Sequence, residues 1–341
     1  MTGNENLQVR LRDHPRQRLV TTDDYIFEPC EIPAPKEGQI LVRTVYQSID
    51  AGSRAMLDRT GYVVNMKPGE LVGSSLIGQV MESRHPDYTP GDYVHGHGRW
   101  ARYLLLNPAR LGARCYRIVP KAPLSAYLGI FGFTGFTAWI GMALIGKPEP
   151  SQTVVVSAAA GAVGLAACQI GKIMEARIVG IAGGPEKCAL LSQEIGCDAV
   201  VDYKAGDLGL QLDAACPDGI DVYFENVGGE TQRAVLPRMN NFGRVPLCGQ
   251  IAQYGDDAQQ GPNWFVLTLK RLLAQGFLAS DHMEHFAPFI AQAEEWHAKG
   301  VYRNRVTVTE GLENAADAVN SLVTGRNIGK QMIQIGPESL P

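Results

Sequence analysis

The stretch that decides the fold is VVVSAAAGAVGLAACQIG, Val154 to Gly171. Three branched residues in succession have the texture of a strand buried on both faces. Small residues with Gly161 and Gly164 follow, and then an apolar, small-residue run that suits a helix. Set against the dinucleotide fingerprint G-x-G-x-x-G, Ala159, Gly161 and Gly164 take its three glycine positions, so the first glycine is replaced. Gly161 would let the backbone approach a pyrophosphate, and Gly164 would let the helix pack close on the strand. The unpaired N–H groups at the helix start, with Ala162 and Val163 among them, would receive the negative charge. A tight strand–helix turn that binds nothing fits the same residues, so the flanking pattern has to decide.

Strand-like runs recur at Thr153–Ser157, Arg177–Ala182, Ala199–Asp202, Val222–Glu225 and Gly243–Leu247. Helical patterns near Val163–Met174 and Pro185–Ile195 separate the first three. Such alternation predicts a parallel sheet with right-handed crossovers, a doubly wound α/β unit. The chain before it is β-rich. Gln39–Tyr46 and Leu71–Met81 read as strands, and Pro90-Gly91-Asp92 is a turn feeding Tyr93-Val94. Gly129–Gly146 reads as one or two buried helices. The tail from Arg305 to Ile335 returns to a strand–helix–strand pattern. We therefore expect a β-rich domain over residues 1–125, a parallel-sheet domain over 126–300, and a C-terminal segment, 301–341, returning to the first.

The bulk numbers narrow the function classes. A chain of 341 residues suits two domains, and 45% hydrophobic with 19% charged residues describes a soluble globular protein. A net charge of -4 with no long basic run gives no nucleic-acid footprint. The first residues carry no apolar run of the signal-peptide type and no segment has the length of a membrane span, so a cytoplasmic protein with no membrane partner is expected. Seven cysteines, none spaced C-x-x-C, fit reduced thiols better than a disulfide framework or a clustered zinc site.

About twenty residues past the glycine turn, an NAD site would show an acid for the ribose hydroxyls. Here the second strand ends Gly180-Ile181-Ala182-Gly183-Gly184-Pro185-Glu186-Lys187. Gly183 leaves space, and Lys187 on the first turn of the next helix suits a 2′-phosphate. Glu186 opposes this only if it faces the same pocket. NADPH/NADP+ is the expected cofactor.

Six segments carry a resemblance to a known family: Val154–Gly164 (VVVSAAAGAVG), Val179–Lys187 (VGIAGGPEK), Val201–Lys204 (VDYK), Asp221–Gly229 (DVYFENVGG), Cys248–Tyr254 (CGQIAQY) and Asn327–Lys330 (NIGK). The chain resembles the medium-chain dehydrogenase/reductase superfamily. Within it, the likeness is to the zinc-independent branch of leukotriene B4 dehydrogenase / prostaglandin reductase, the plant alkenal double-bond reductases and the bacterial curcumin reductases. The resemblance implies a GroES-like β-rich catalytic domain and an inserted Rossmann domain that binds NADPH. Carried over by position, Gly161, Ala162, Val163 and Gly164 would receive the pyrophosphate, and Lys187 and Tyr203 the adenosine phosphate beside Gly183. Asn226, Cys248, Gly249, Ile251, Tyr254, Phe277, Leu278, Ala279 and Asn327 would line the rest. Relatives are homodimers, so a homodimer is expected.

Zinc enzymes of the superfamily carry Gly-His-Glu near the position of Glu70–Gly78, which here contains no metal ligand. His95-Gly96-His97 lacks a nearby cysteine or carboxylate, and His282 with His285 sits on a helical pattern, so no metal is expected. Without a Lewis acid an isolated carbonyl is hard to reduce. A carbon–carbon double bond conjugated to a carbonyl is easier, since hydride adds to the β-carbon and the charge spreads onto oxygen as an enolate. Tyr254, which the family places beside the nicotinamide, is the expected hydrogen-bond donor and catalytic residue. Where the family shows Asp-Pro-Tyr-Met-Arg, this chain has Asp50-Ala51-Gly52-Ser53-Arg54. Where the family shows Met-Pro-Gly-Leu-Thr-Ala, it has Phe133-Thr134-Gly135-Phe136-Thr137-Ala138. Ser53, Tyr62 and Thr134 are therefore the candidate substrate-pocket residues. The expected activity is NADPH-dependent reduction of enones or enals, with a quinone oxidoreductase or a weakly catalytic NADPH-binding protein as alternatives.

Overall fold

Branched residues at alternate positions make the N-terminal third a set of antiparallel strands. The structure, a computed structural model, describes residues 5–15, 18–57, 66–253 and 259–338. Strands β1 (Asn6–Leu11) and β2 (Tyr25–Cys30) form a two-stranded sheet. After them come β3 (Ile40–Ser48), β4 (Gly73–Ser83), β5 (Tyr93–Arg99), β6 (Tyr103–Leu106) and β7 (Tyr116–Ile118). Every residue of β3 is buried, and it pairs antiparallel with β4 and with β6.

The next six strands are β8 (Thr153–Val156), β9 (Arg177–Ala182), β10 (Ala199–Asp202), β11 (Ile220–Phe224), β12 (Met239–Leu247) and β13 (Leu273–Gly276). They form one parallel sheet in the order β10-β9-β8-β11-β12-β13. This is the Rossmann order, and its direction reverses between β8 and β11. The chain then returns as β14 (Val306–Glu310) and β15 (Lys330–Gln334). These extend the first sheet to the order β14-β15-β3-β4-β5-β7, with β6 beside β3. Chain contacts accordingly separate Met1–Leu128 with Val306–Pro341 from Gly129–Arg305.

Each unit has its own core. In the first, Trp100 is fully buried among Val9, Leu11, Tyr25, Ile49, Leu57, Val72 and Val319, with its indole N–H donated to Ser74 Oγ at 3.1 Å. In the second, Val155, Val179, Val201, Val222 and Tyr223 come from four neighbouring strands and are all buried. No helix among the described residues is long and apolar enough to cross a membrane. The apolar run Gly129–Gly146 holds an α-helix, Phe133–Trp139, that continues as a π-helical segment, Ile140–Gly146.

The opening stretch folds as its residues dictate. β8 ends at Val156, and Ala162–Ile173 is the helix. The turn between them brings helix and strand so close that a Cβ on Gly164 would lie 2.2 Å from the Ala158 carbonyl oxygen and 2.8 Å from Ala159 Cα. Both obstacles are backbone, so neither can rotate away. A Cβ on Gly161 meets only the Ala158 oxygen at 3.2 Å. Gly164→Ala should therefore destabilise the protein by roughly 1–3 kcal/mol or more, seen as a lower thermal midpoint, whereas Gly161→Ala should cost clearly less. Equal midpoints for the two variants would refute the close-packing role of Gly164.

Candidate functional site

In open parallel sheets the ligand crevice lies outside the carboxyl ends of the strands, where the strand order reverses. Here that point is the pair of chain ends following β8 and β11. Ser157 follows β8 and Glu225-Asn226 follow β11. Asn226 N–H donates to Ser157 Oγ and Asn226 Nδ2 to the Ser157 carbonyl, both at 2.8 Å. Asn226 is thus held at the switch point, and half of its own amide is spent in joining the two strand ends.

The glycine turn sits beside it. Ala158 adopts a positive φ of 49°, Ala159 N–H donates to the Ile181 carbonyl at 2.9 Å, and Leu165 N–H is the first to bond back into the helix, to Gly161 O at 2.8 Å. Helix geometry therefore leaves the N–H groups of Ala162, Val163 and Gly164 without an intrahelical carbonyl. No side chain caps them, since the capping residue is Gly161. Three aligned donors at a helix start, with no Cβ on Gly161, form a cradle for an anionic group.

On the far side of β8 lie the ends of β9 and β10. A Cβ on Gly183 would lie 2.7 Å from the Tyr203 ring, so the glycine makes room for the tyrosine. Tyr203 is 50% exposed, with Lys204 Nζ 5.8 Å from its ring centroid. Lys187 feels Lys204 directly. Burial, and then the like charge of Lys204, lower its pKa, and Glu186 opposes them less strongly than either. Asp202, which precedes Tyr203, spends one carboxylate oxygen on the amides of Gly184 and Lys204, each at 2.9 Å. Two cations held against their mutual repulsion, with Asp202 occupied by backbone, suit a dianionic phosphate. Lys204 was not among the residues expected from sequence. An exposed lysine after a tyrosine reads as a solvated side chain, and only its nearness to Lys187 distinguishes it.

Beyond the switch point, Cys248 and Gly249 follow β12 and donate their amides to the Glu225 carbonyl at 3.0 and 3.1 Å, while Ile251 N–H reaches Asn226 O at 3.3 Å. Burial, and then the charge of Glu225, push the Cys248 thiol to about 12, which keeps it protonated and unreactive. Phe277, Leu278 and Ala279 follow β13, with Leu278 exposed. Thr134, on the helix Phe133–Trp139, donates its hydroxyl to the Gly129 carbonyl at 2.9 Å. Asn327 and Ser53 belong to the other unit. Asn327 is buried and donates to the Gly329 carbonyl at 2.9 Å. Ser53 lies on the helix Ala51–Leu57, its side chain outside the description. Tyr254 and Tyr62 both lie outside the described residues.

Comparison with known proteins fits this geometry. A family described as N-terminal domain of oxidoreductase matches residues 7–113, and one described as zinc-binding dehydrogenase matches residues 162–295. The chain is 37% identical to NADPH-dependent curcumin reductase of Escherichia coli over 92% of each chain. It is 36% identical to 2-alkenal reductase (NADP(+)-dependent) of Nicotiana tabacum over 88% of each. The crystal structure of CurA in complex with NADPH from Vibrio vulnificus superposes with a TM-score of 0.90 at 35% identity, covering 97% of this chain and 99% of that one.

Among the described residues no group of three or more His, Cys, Asp or Glu side chains is arranged to hold a metal ion. His95 is instead a core residue. Its ring stacks on Tyr116 with centroids 4.9 Å apart and an 11° tilt, and Nδ1 donates to the Arg114 carbonyl at 3.2 Å. Burial lowers its pKa from 6.5 to about 4. A base depressed in the fold favours folding fully above its unfolded value, and this contribution fades as the pH falls from 6.5 towards 4, by about 3 kcal/mol in all. His95→Phe, which keeps the stack, should flatten the loss of stability over that window in chemical denaturation. Superimposable pH profiles would show that His95 is not the acid-sensitive group.

Proposed function

Because the chain belongs to the medium-chain dehydrogenase/reductase family alongside curcumin and alkenal reductases, we propose that it is an NADPH-dependent reductase of the carbon–carbon double bond in α,β-unsaturated ketones or aldehydes. The observation that carries the cofactor reading is the Lys187–Lys204 pair beside Tyr203, at the strand end where an NAD site would hold a free acid. The amides of Ala162, Val163 and Gly164 receive the pyrophosphate, and Gly161 lets it approach. Lys187 and Lys204 clamp the 2′-phosphate while Tyr203 borders the adenosine, with Gly183 giving the tyrosine its place. Asn226, Cys248, Gly249, Ile251, Phe277, Leu278 and Ala279 line the remainder, with Asn327 a candidate on the family resemblance.

NADPH, when bound, supplies the hydride that reaches the β-carbon of the substrate. Tyr254 donates a hydrogen bond to the carbonyl oxygen of the substrate, where negative charge collects as an enolate, and a proton from water then adds at the α-carbon. A neutral donor suffices because conjugation already spreads the charge. Glu70–Gly78 holds neither cysteine nor histidine, and the reaction we propose needs no metal. Ser53, Tyr62 and Thr134 remain the candidates for substrate contact, on the family resemblance alone. The smaller residues at Ala51–Ser53 reshape the pocket relative to the family pattern and make quinones the competing substrate class.

NADPH oxidation with a panel of enones, enals and quinones, with NADH in parallel, tests this directly. The expected result is a saturated ketone or aldehyde formed with NADPH and weak turnover with NADH. Turnover of quinones alone would move the protein to the quinone-reductase reading. Lys187→Ala and Lys204→Ala should each raise the KM for NADPH roughly tenfold, about 1.4 kcal/mol, and leave that for NADH nearly unchanged. Equal effects on the two cofactors would refute the phosphate role.

We also propose a cytoplasmic homodimer. The seven cysteines are free thiols, as a reducing compartment requires. β13 ends its sheet, and Trp264, Phe265, Leu269 and Leu273 on and around it are 46–59% exposed. A second copy of the chain would cover this apolar edge. Sedimentation should give a dimer for the wild type and a monomer for Leu273→Lys. A monomeric wild type would overturn the proposal.

A further inference from the structure

Glu225 is a fully buried carboxylate to which the reaction proposed above gives no role. Its Oε1 accepts three hydrogen bonds: from Ser157 Oγ at 3.0 Å, from Val227 N at 2.7 Å and from Gly228 N at 3.0 Å. Its main chain is equally engaged. The amide donates to the Pro246 carbonyl at 3.0 Å, and the carbonyl accepts the amides of Cys248 and Gly249. One residue therefore ties together the end of β8, the turn after β11 and the loop after β12.

The sheet order says which part of a dinucleotide these segments face. The lysine pair sits at the ends of β9 and β10, the helix-start cradle follows β8, and β11 and β12 lie on the opposite side of the switch point. A ligand with its 2′-phosphate on the lysines and its pyrophosphate on the cradle must extend its other half over the ends of β11 and β12. We infer that Glu225 is a positioning residue for the nicotinamide half of NADPH, acting through Ser157, the Asn226–Gly228 turn and the loop that starts at Cys248. This rests on the NADPH reading above.

The chemistry of the group supports a role beyond holding the fold. A buried carboxylate is costly where an apolar side chain would fill the space. Burial raises the Glu225 pKa, and the amides of Gly228 and Val227 counter it only in part. The Tyr223 hydroxyl and Ser157 Oγ, beside the carboxylate, favour its charged form as well, though less than the two amides. The group that does act is Oε1, and its three donors bond more strongly to a charged carboxylate oxygen than to the neutral oxygen of an amide.

The test uses the full chain, two ligands and equilibrium titration calorimetry. NADPH reports the whole site, and adenosine 2′,5′-bisphosphate reports only the adenosine end. Glu225→Gln should weaken NADPH binding about tenfold and leave adenosine 2′,5′-bisphosphate binding within twofold, with the thermal midpoint unchanged or raised. Ser157→Ala, which removes one of the three donors, should act in the same direction, and the double variant should bind NADPH no more weakly than Glu225→Gln alone by more than twofold. Unchanged NADPH affinity in Glu225→Gln, or an equal loss for both ligands, would overturn the inference. If Glu225→Gln does not fold, Ser157→Ala decides by the same two titrations. A wild type that binds neither ligand would instead overturn the NADPH reading itself.

Discussion

The parallel pairing of β8 with β11 is the constraint on which the site depends. Val154, Val155 and Val156 lie opposite Val222, Tyr223 and Phe224, and all six side chains are buried. The register of this buried ladder is fixed by packing, since a slip of one residue would take Val155 or Tyr223 out of the cluster both fill with Val179, Val201 and Val245. Ser157 and Asn226 thereby reach the same level at the carboxyl end of the sheet, near enough for two hydrogen bonds between them. The crossovers from β8 and from β11 run to opposite sides of the sheet, so their loops part above this pair and leave a crevice.

Around that crevice the polar groups are ordered by charge. Helix-start amides and two lysines lie towards β9 and β10, while the carboxylate of Glu225 is sunk beneath the ends of β11 and β12. An anion placed on the first group meets amides and two lysines, and at Lys187 the charge of Lys204 outweighs that of Glu186. Two nearby acids are occupied: Asp202 by the amides of Gly184 and Lys204, and Glu225 by Ser157 and two turn amides. Both acids therefore act as internal braces, and the field at the surface of the site is left to the cations.

Much of this was legible in the residues. Arg177–Ala182 and Ala199–Asp202 read as strands and fold as strands with those boundaries, because branched runs bounded by turn residues leave little choice. β12 begins at Met239, four residues before the strand-like run Gly243–Leu247, since Asn240, Asn241 and Phe242 have no strand texture and Phe242 takes a positive φ of 67°. There the pairing with β11, itself shifted in register, overrides local preference. The π-helical end of the Gly129–Gly146 run depends on a tertiary fit. A Cβ on Gly141 would lie 2.4 Å from the Phe224 ring, and no spacing rule reports which strand a helix will meet.

The site residues divide along the same line. Gly161, Gly164, Lys187 and Asn226 announce themselves because their motif fixes them relative to a strand end. Lys204 and Glu225 do not, since each matters through a neighbour far along the chain: Lys204 through Lys187, and Glu225 through Ser157. A charged residue in a short sequence window is read most simply as solvated. Glu225 is instead fully buried with three donors on one oxygen, and Lys204 lowers the pKa of another lysine. Burial and like-charge proximity come from the assembled sheet. The parts of the site hidden in the sequence are thus the ones whose role is electrostatic rather than steric. A glycine is recognised by the room it leaves, whereas a charge is understood only from what surrounds it.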